Sequence, residues 1–364
     1  MNAGPIMILA GGTGGHVFPG LAVAKVLRER EQSVVWMGTR KGLEARLVPE
    51  AGINIEWISV SGIRGRGPLT WLIAPFRIVL AVYQAFVALR RCRPVAVLGL
   101  GGFVSGPGGL AAWLTRRPLL IHEQNAVAGT TNRVLARFAQ RIFSAFPESF
   151  PSSVEAELIG NPVRESIVGL PVPSKRFASG SDSTKAVRVL VLGGSQGASI
   201  LNNQVPAALQ LLPPGVAVDV WHQTGRRIVE AEMAYSSTNV VPRLDTFIDD
   251  MSVAYGWADL VICRAGALTI SELSAVGIGA ILVPFPFAVD NHQLKNAQSF
   301  ASQGAGIVIP ENKFNPERLA KEISDLVENQ AVLELLAERA RAQAKPRAAE
   351  MLANACLEYA EVRS

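Results

Sequence analysis

Cysteine is scarce: Cys92, Cys263 and Cys356 are the three in 364 residues, far apart, with no CxxC and no histidine close to any of them. That spacing signals neither a disulfide framework nor a zinc site, and a reducing cytosol fits it best. No basic leader precedes the first apolar run in MNAGPIMILAGG, so the N-terminus reads as a core strand and not as a signal peptide. Aromatic residues make up 7% and charged residues 18% against 49% hydrophobic, the usage of an ordinary folded chain rather than a disordered or collagenous one. At ~150 residues per domain, two domains are the first expectation.

Acidic residues are missing from one long stretch. Residues 61–120 contain no Asp, Glu or Lys but eight arginines, leaving 27 basic against 30 acidic residues elsewhere, so the net charge of +5 is owed to this segment. Within it, residues 69–89 (LTWLIAPFRIVLAVYQAFVAL) are apolar and long enough to be weighed as a membrane span, and Pro75 and Arg77 argue against one. On a helical wheel Arg77, Gln84 and Arg91 form a thin polar stripe flanked by Ala74, Ala81, Ala85 and Ala88, with bulky apolar residues over most of the rest. One reading is a helix buried on two sides in a core. The other is a helix end and loop that touch a bilayer through Trp71, Leu72, Ile73 and Phe76, ringed by Arg64, Arg66 and Arg77. Each such arginine adds ~1 kcal/mol near an anionic leaflet. Nucleic acid is not expected as a partner, because few aromatics interleave with the basic residues and no standard binding motif is present.

Two stretches are alike, IMILAGGTGGHV at 6–17 and VRVLVLGGSQGA at 187–198. Each is a short apolar strand, a glycine turn and a helix start, the opening of a Rossmann-like unit. Further β-rich runs at 33–37, 95–99, 118–122 and 141–144, then at 216–221, 259–263 and 280–284, alternate with helical stretches. Alternating strands and helices predict parallel sheets, hence two α/β domains in tandem. The Pro-, Ser- and Gly-rich residues 160–185 read as a domain connection plus a surface loop, and the chain from 315 onward reads as helical, with a late helix at 347–360 expected to return to the first domain.

The loop GGTGGH at 11–16 falls short of a dinucleotide fingerprint, since Val17 stands at the third glycine position and no acidic residue closes the next strand. No GK[ST] follows, which excludes a Walker loop. What remains is a loop nearly bare of side chains, with the Thr13 hydroxyl and His16 imidazole at a helix head, open to a phosphate or a sugar hydroxyl. The plainer alternative is a tight turn with His16 as a helix cap. GGFVSGPGG at 101–109 is a second glycine-rich loop in the same domain, and GGSQGA at 193–198, with Ser195, is its counterpart in the second. HEQN at 122–125 follows an apolar strand, where it is either a hydrogen-bonding site or an ordinary polar loop. In CRAGALTISE at 263–272, Thr269 and Glu272 have capping-box spacing, while a glutamate there also suits the two hydroxyls of a nucleotide ribose. No DxD is present, so amide dipoles and cations, not a bound metal, are expected to hold a diphosphate; no cofactor is expected.

In combination, GGTGGHVFPGLAVA, GGFVSGPGG, HEQNAVAG, GNPVR, GGSQGA, FIDDM and CRAGALTISE, in that order, resemble the MurG family of bacterial transferases over essentially the whole chain. The resemblance implies a GT-B fold: two Rossmann-like domains with parallel sheets facing a deep cleft. It implies an acceptor- and membrane-binding domain at 1–162, a UDP-GlcNAc-binding domain at 163–345, and a C-terminal helix at 346–364 returning to the first domain. The implied reaction is inverting transfer of N-acetylglucosamine from UDP-GlcNAc to the 4-hydroxyl of the lipid-linked muramyl pentapeptide, lipid I, with His16 as candidate general base. Thr13, Gly14, Gly15, Asn125, Arg164, Ser195, Ile248, Ala267, Leu268, Thr269, Ile270, Ser271 and Glu272 would contact the UDP-sugar, with Glu272 on the ribose and either His292 or Gln293 on the sugar. The lipid acceptor implies a peripheral place on the anionic cytoplasmic leaflet of the inner membrane, which favours the bilayer-contact reading of the arginine-rich segment. A lipid glycosyltransferase with another acceptor and a UDP-GlcNAc 2-epimerase on a similar fold are the alternatives.

Overall fold

The computed structural model describes residues 4–60, 68–178, 186–194 and 197–361, leaving aside the side chains of 68–73, 178 and 361. The chain forms two units, Met1–Arg164 together with Pro346–Ser364, and Glu165–Lys345.

The first unit is built on β1 (Ile6–Leu9), β2 (Val34–Gly38), β3 (Asn54–Trp57), β4 (Ala96–Gly99), β5 (Leu119–Glu123), β6 (Arg141–Ser144) and β7 (Glu157–Leu158). They lie in the order β3-β2-β1-β4-β5-β6-β7, each pair parallel. Because side chains alternate along a strand, Ile6 and Ile8 of β1 enter one core and Met7 and Leu9 the other. The first core includes Val17 and Leu27 of helix Gly14–Glu29 and Leu352 and Cys356 of helix Ala348–Glu361. The second includes Ala85 and Leu89 of helix Pro68–Cys92 and Ala111 of helix Gly102–Leu114. Helices on both faces explain why the central strands are unbroken apolar runs.

The second unit repeats this plan with β8 (Val187–Leu192), β9 (Val218–Gln223), β10 (Arg243–Asp245), β11 (Leu260–Cys263), β12 (Gly279–Leu282) and β13 (Gly306–Val308). Their order is β10-β9-β8-β11-β12-β13, again parallel throughout. In each sheet the strand order reverses once, between β1 and β4 and between β8 and β11. The carboxyl side of such a reversal is where open α/β sheets hold ligands.

One expectation is corrected, and one of two open readings is set aside. Residues 165–178 are not plain connection: they form the short helices Glu165–Val168 and Pro173–Ala178, with Ile167 fully buried. Arg176 donates to the carbonyls of Ala258 and Gly277, and burial lowers its pKa to about 10. Nor is helix Pro68–Cys92 buried on two sides. Its small residues Ala74, Ala81, Ala85 and Ala88 turn inward, whereas Phe76 (76% exposed), Val79, Leu80, Tyr83 and Val87 face solvent. Gln84 and Arg91 of the polar stripe reach sideways to Ser59 and Glu56. Among the described residues no helix is long and apolar enough to cross a membrane.

Candidate active site

In the first unit the loops after β1 and β4 meet at the strand-order reversal. A methyl group on Gly102 would lie 2.3 Å from the Gly11 carbonyl oxygen, so only glycine, here at φ +77°, lets the loops approach this closely. Ser105 ties them further, accepting from Gly101 N–H and donating to the carbonyls of Leu9 and Gly101. Helix Gly14–Glu29 begins here with exposed Thr13 as its N-cap, whose side chain makes no capping hydrogen bond. His16 is therefore inside the first helical turn rather than a cap, and its ring lies against Gly101. From below, the fully buried carboxylate of Glu44 accepts Gly12 N–H at 2.8 Å and the Thr39 N–H and hydroxyl at 2.9 and 2.8 Å.

HEQN is a hydrogen-bonding cluster more than a polar loop, for His122, Glu123 and Gln124 are all buried. Glu123 accepts from Asn125 backbone and side-chain N–H, from Gly129 N–H and from Asn132 Nδ2, which fixes the turn that carries half-buried Asn125. Gln124 Oε1 is 3.1 Å from His16 Nδ1. The GNPVR segment closes beside it: Asn161 Nδ2 donates to the Gln124 carbonyl, His122 Nε2 is 2.9 Å from the Gly160 carbonyl, and Arg164 stacks 4.9 Å over the ring of Phe18. Thr13, Gly14, Gly15, His16, Asn125 and Arg164 thus share one unit, and the motifs that carry them meet at the carboxyl edge of its sheet.

In the second unit the loop after β8 turns at Gly194 and Gly197, both at positive φ. Ser195 lies outside the described residues, as do Arg64, Arg66 and the side chains of Trp71, Leu72 and Ile73. After β11, helix Ala267–Val276 begins at N-cap Gly266, so Thr269 and Glu272 do not form a capping box. Glu272 is instead buried and accepts a hydrogen bond from the Tyr255 hydroxyl at 3.0 Å. Leu268, Thr269 and Ser271 are half-buried, while Ala267 and Ile270 are buried and the Ile270 amide is bonded to the Gly266 carbonyl. The helix start is braced by Asn296, whose Nδ2 donates to the Ala265 carbonyl, and by Arg264, paired with Glu311 at 2.6 Å and donating to the Val283 carbonyl. Ile248 is buried just ahead of helix Met251–Trp257, which Asp250 caps. Asp290 and Asn291 are both left-handed, at φ 53° and 54°, and lead into His292 and Gln293. The His292 ring donates to the Val289 carbonyl and Gln293 Oε1 accepts Phe285 N–H.

The chain matches the glycosyltransferase family 28 N-terminal domain over residues 6–144 and the family's C-terminal domain over 188–353. It is 56% identical, over 98% of both chains, to the Nitrosococcus oceani protein named UDP-N-acetylglucosamine--N-acetylmuramyl-(pentapeptide) pyrophosphoryl-undecaprenol N-acetylglucosamine transferase. It is 52% identical to the protein of that name from Alkalilimnicola ehrlichii, over 98% of this chain and 99% of the relative. The crystal structure of Acinetobacter baumannii MurG superimposes with a TM-score of 0.84 at 38% identity, over 98% of this chain and 99% of the other.

The chain belongs to the MurG family. The two parallel sheets in tandem are accordingly the GT-B fold of a MurG-family glycosyltransferase. Glu44 and Tyr255, which hold the MurG-family motifs in place, are not legible from motif spacing, whereas Ser105 lies inside GGFVSGPGG. Glu44 sits in an unremarkable GLEARLVPE stretch, and its one signal is a carboxylate shortly after the second strand where apolar residues begin.

Proposed function

We propose that this protein catalyses inverting transfer of N-acetylglucosamine from UDP-GlcNAc to the 4-hydroxyl of MurNAc in undecaprenyl-diphosphate-linked MurNAc-pentapeptide, a step of peptidoglycan synthesis. The observation that carries this reading is identity of 56% across essentially the full length of a relative named for that transfer. The same observation weighs against the alternatives, a 2-epimerase and a transferase with another lipid acceptor.

In this reading His16 takes the proton of the attacking hydroxyl, an imidazole being suited to that task near neutral pH. Thr13, Gly14 and Gly15 of the glycine loop, with Asn125 and Arg164, contact the UDP-sugar, and the near absence of side chains in that loop leaves the reacting hydroxyl room to approach. The departing UDP is received by the helix that starts at Ala267, through Leu268, Thr269 and Ser271, and by the loop of Ser195. Amides at such helix starts point toward a ligand and stabilise developing negative charge. Glu272 accepts from the ribose hydroxyls, with its carboxylate oriented by Tyr255. Ile248 offers backbone groups to uracil, and His292 or Gln293 meets the sugar.

The exposed apolar stripe of helix Pro68–Cys92, with exposed Trp113 and Leu114 of the neighbouring helix and Arg77 within it, supports a peripheral contact with the anionic cytoplasmic leaflet of the inner membrane, where the lipid acceptor resides. Trp71, Leu72, Ile73, Arg64 and Arg66 belong to the same proposed contact.

Incubation with labelled UDP-GlcNAc and a short-chain acceptor analogue tests the reaction. A β-linked disaccharide and released UDP are expected, falling by about 10²- to 10⁴-fold in His16→Ala, the usual contribution of a general base. Epimerised donor, or intact donor with no product, overturns the reading.

A further inference from the structure

His16 stands at one end of a run of hydrogen bonds whose direction is fixed at the other end. The Gly160 carbonyl lies 2.9 Å from His122 Nε2, and a carbonyl only accepts, so that nitrogen carries a hydrogen. His122 is completely buried, and burial lowers its pKa to about 4. The ring is neutral at physiological pH, which makes its Nδ1 an acceptor. The Gln124 side-chain atom 3.2 Å from that Nδ1 is therefore the amide nitrogen, and the same nitrogen lies 3.3 Å from a second acceptor, the His122 carbonyl. With the amide oriented by these two contacts, its oxygen is the atom that faces His16 Nδ1 at 3.1 Å. An amide oxygen only accepts, so His16 Nδ1 holds the hydrogen and the lone pair of the neutral ring is on Nε2.

We propose that Gln124, itself oriented by His122 and the Gly160 carbonyl, is a positioning residue that holds His16 in the Nδ1–H tautomer and so makes Nε2 the nitrogen that accepts the hydroxyl proton. This rests on the reading of His16 as the base. In the transfer the hydroxyl proton passes to Nε2, and the hydroxyl oxygen bonds to the anomeric carbon. The bond from that carbon to UDP breaks with its electron pair on the diphosphate. His16 leaves the step as an imidazolium, its Nδ1–H still on Gln124, and returns the Nε2 proton to water. The choice of an amide has a chemical consequence. A carboxylate at this place would stabilise the imidazolium and raise the ring's pKa, whereas an amide orients the ring without adding charge. Gly101 leaves the space for this contact, since a Cβ there would lie 2.8 Å from His16 Nδ1 and 3.3 Å from Gln124 Oε1.

The test is a long-range ¹H–¹⁵N spectrum of the full chain labelled at histidine, tractable because the chain has 4 histidines, with His16 assigned by its loss in His16→Gln. The expected result is a protonated Nδ1 and an unprotonated Nε2 on His16. Gln124→Met should release that tautomer and lower kcat at least about tenfold with KM for both substrates nearly unchanged, the pattern of a weakened base. Gln124→Glu, which keeps an acceptor for His16 but cannot donate to His122, should retain the Nδ1 hydrogen. A wild-type His16 protonated on Nε2 overturns the proposal. So does a Gln124→Met variant with unchanged tautomer and kcat; if His16→Ala still abolishes transfer in that case, the base assignment stands and the positioning role alone fails. Transfer that survives His16→Ala counts against the base assignment itself.

Discussion

Glu44 and Gly12, thirty-two residues apart, are joined by a 2.8 Å hydrogen bond from the Gly12 amide to a carboxylate oxygen that has no access to solvent. The other oxygen holds Thr39 at the end of β2, so one buried carboxylate couples the first glycine loop to the neighbouring strand. All three partners are donors, and a carboxylate alone offers acceptors on both sides. Glu44→Gln must turn its NH₂ group toward either Gly12 N–H or the Thr39 pair. An unsatisfied buried donor costs about 1–3 kcal/mol, and that loss is expected in urea denaturation, together with a fall in kcat as the loop before His16 loosens. Unchanged stability would show that the loop is held by its glycine packing and not by Glu44.

Tyr255 has a comparable role in the second unit. Its hydroxyl occupies one oxygen of Glu272 in a buried setting, which aims the carboxylate. Tyr255→Phe removes that bond at little change in volume. A hydrogen bond to a charged group is worth about 1.5–3 kcal/mol, so KM for UDP-GlcNAc should rise about tenfold or more while the overall fold is kept. An unaltered KM in a folded variant would remove Glu272 from donor binding or Tyr255 from its support.

The strands that apolar runs revealed are the interior ones, β1, β2, β4, β5 and β6, then β8, β9, β11 and β12. The four that escaped, β3 (NIEW), β7 (EL), β10 (RLD) and β13 (GIV), are the edges of the two sheets. An edge strand pairs on one side and is covered less completely, so all four are short, β3, β7 and β10 carry polar residues, and the long apolar run that marks a buried strand is absent. The site divides in the same manner. Glycine loops and polar tetrads after strands announce themselves, because backbone approach and strand ends leave a local signature. The supports Glu44, Gln124 as a partner of His16, and Tyr255 act across 32, 108 and 17 residues, distances over which spacing carries no signal.

Two histidines make stability sensitive to acid. Burial lowers the pKa of His122 to about 4 and that of His222 to about 3, against about 6.5 in an unfolded chain. Above pH 6.5 both states are neutral at these residues and the full stability is present. As the pH falls below 6.5 the unfolded chain takes up protons that the native state refuses, so stability is lost until the native pKa values are reached. For His122 the loss amounts to about 3 kcal/mol. Urea midpoints should fall steadily from pH 6.5 to pH 5, and His222→Phe should reduce that slope by about half. A flat profile over this interval would mean that these rings are hydrated or charged in the native state.

The exposed face of helix Pro68–Cys92 yields the prediction with the clearest physical sign. Phe76, Val79, Leu80, Tyr83 and Val87 recur at helical spacing on the side away from the buried alanines, with Tyr83 64% and Val79 68% exposed. Moving a side chain of this size out of water is worth about 1.5–3 kcal/mol, so a bilayer that accepts Phe76 and Val79 gains several kcal/mol and loses most of it in Phe76→Ser with Val79→Ser. Partitioning onto vesicles containing anionic lipid should fall by tenfold or more (about 1.4 kcal/mol per factor of ten). UDP binding should stay as in the parent, because none of the donor residues named above lies on this helix. Arg77→Gln should have a smaller effect, about 1 kcal/mol, that vanishes at high salt, as expected of a charge near an anionic surface. Apolar and ionic contributions separate in this way: serine variants weaken binding at every salt concentration, the arginine variant only at low salt. Vesicle binding that survives both serine substitutions would place the membrane contact elsewhere on the chain and leave this stripe to a protein partner.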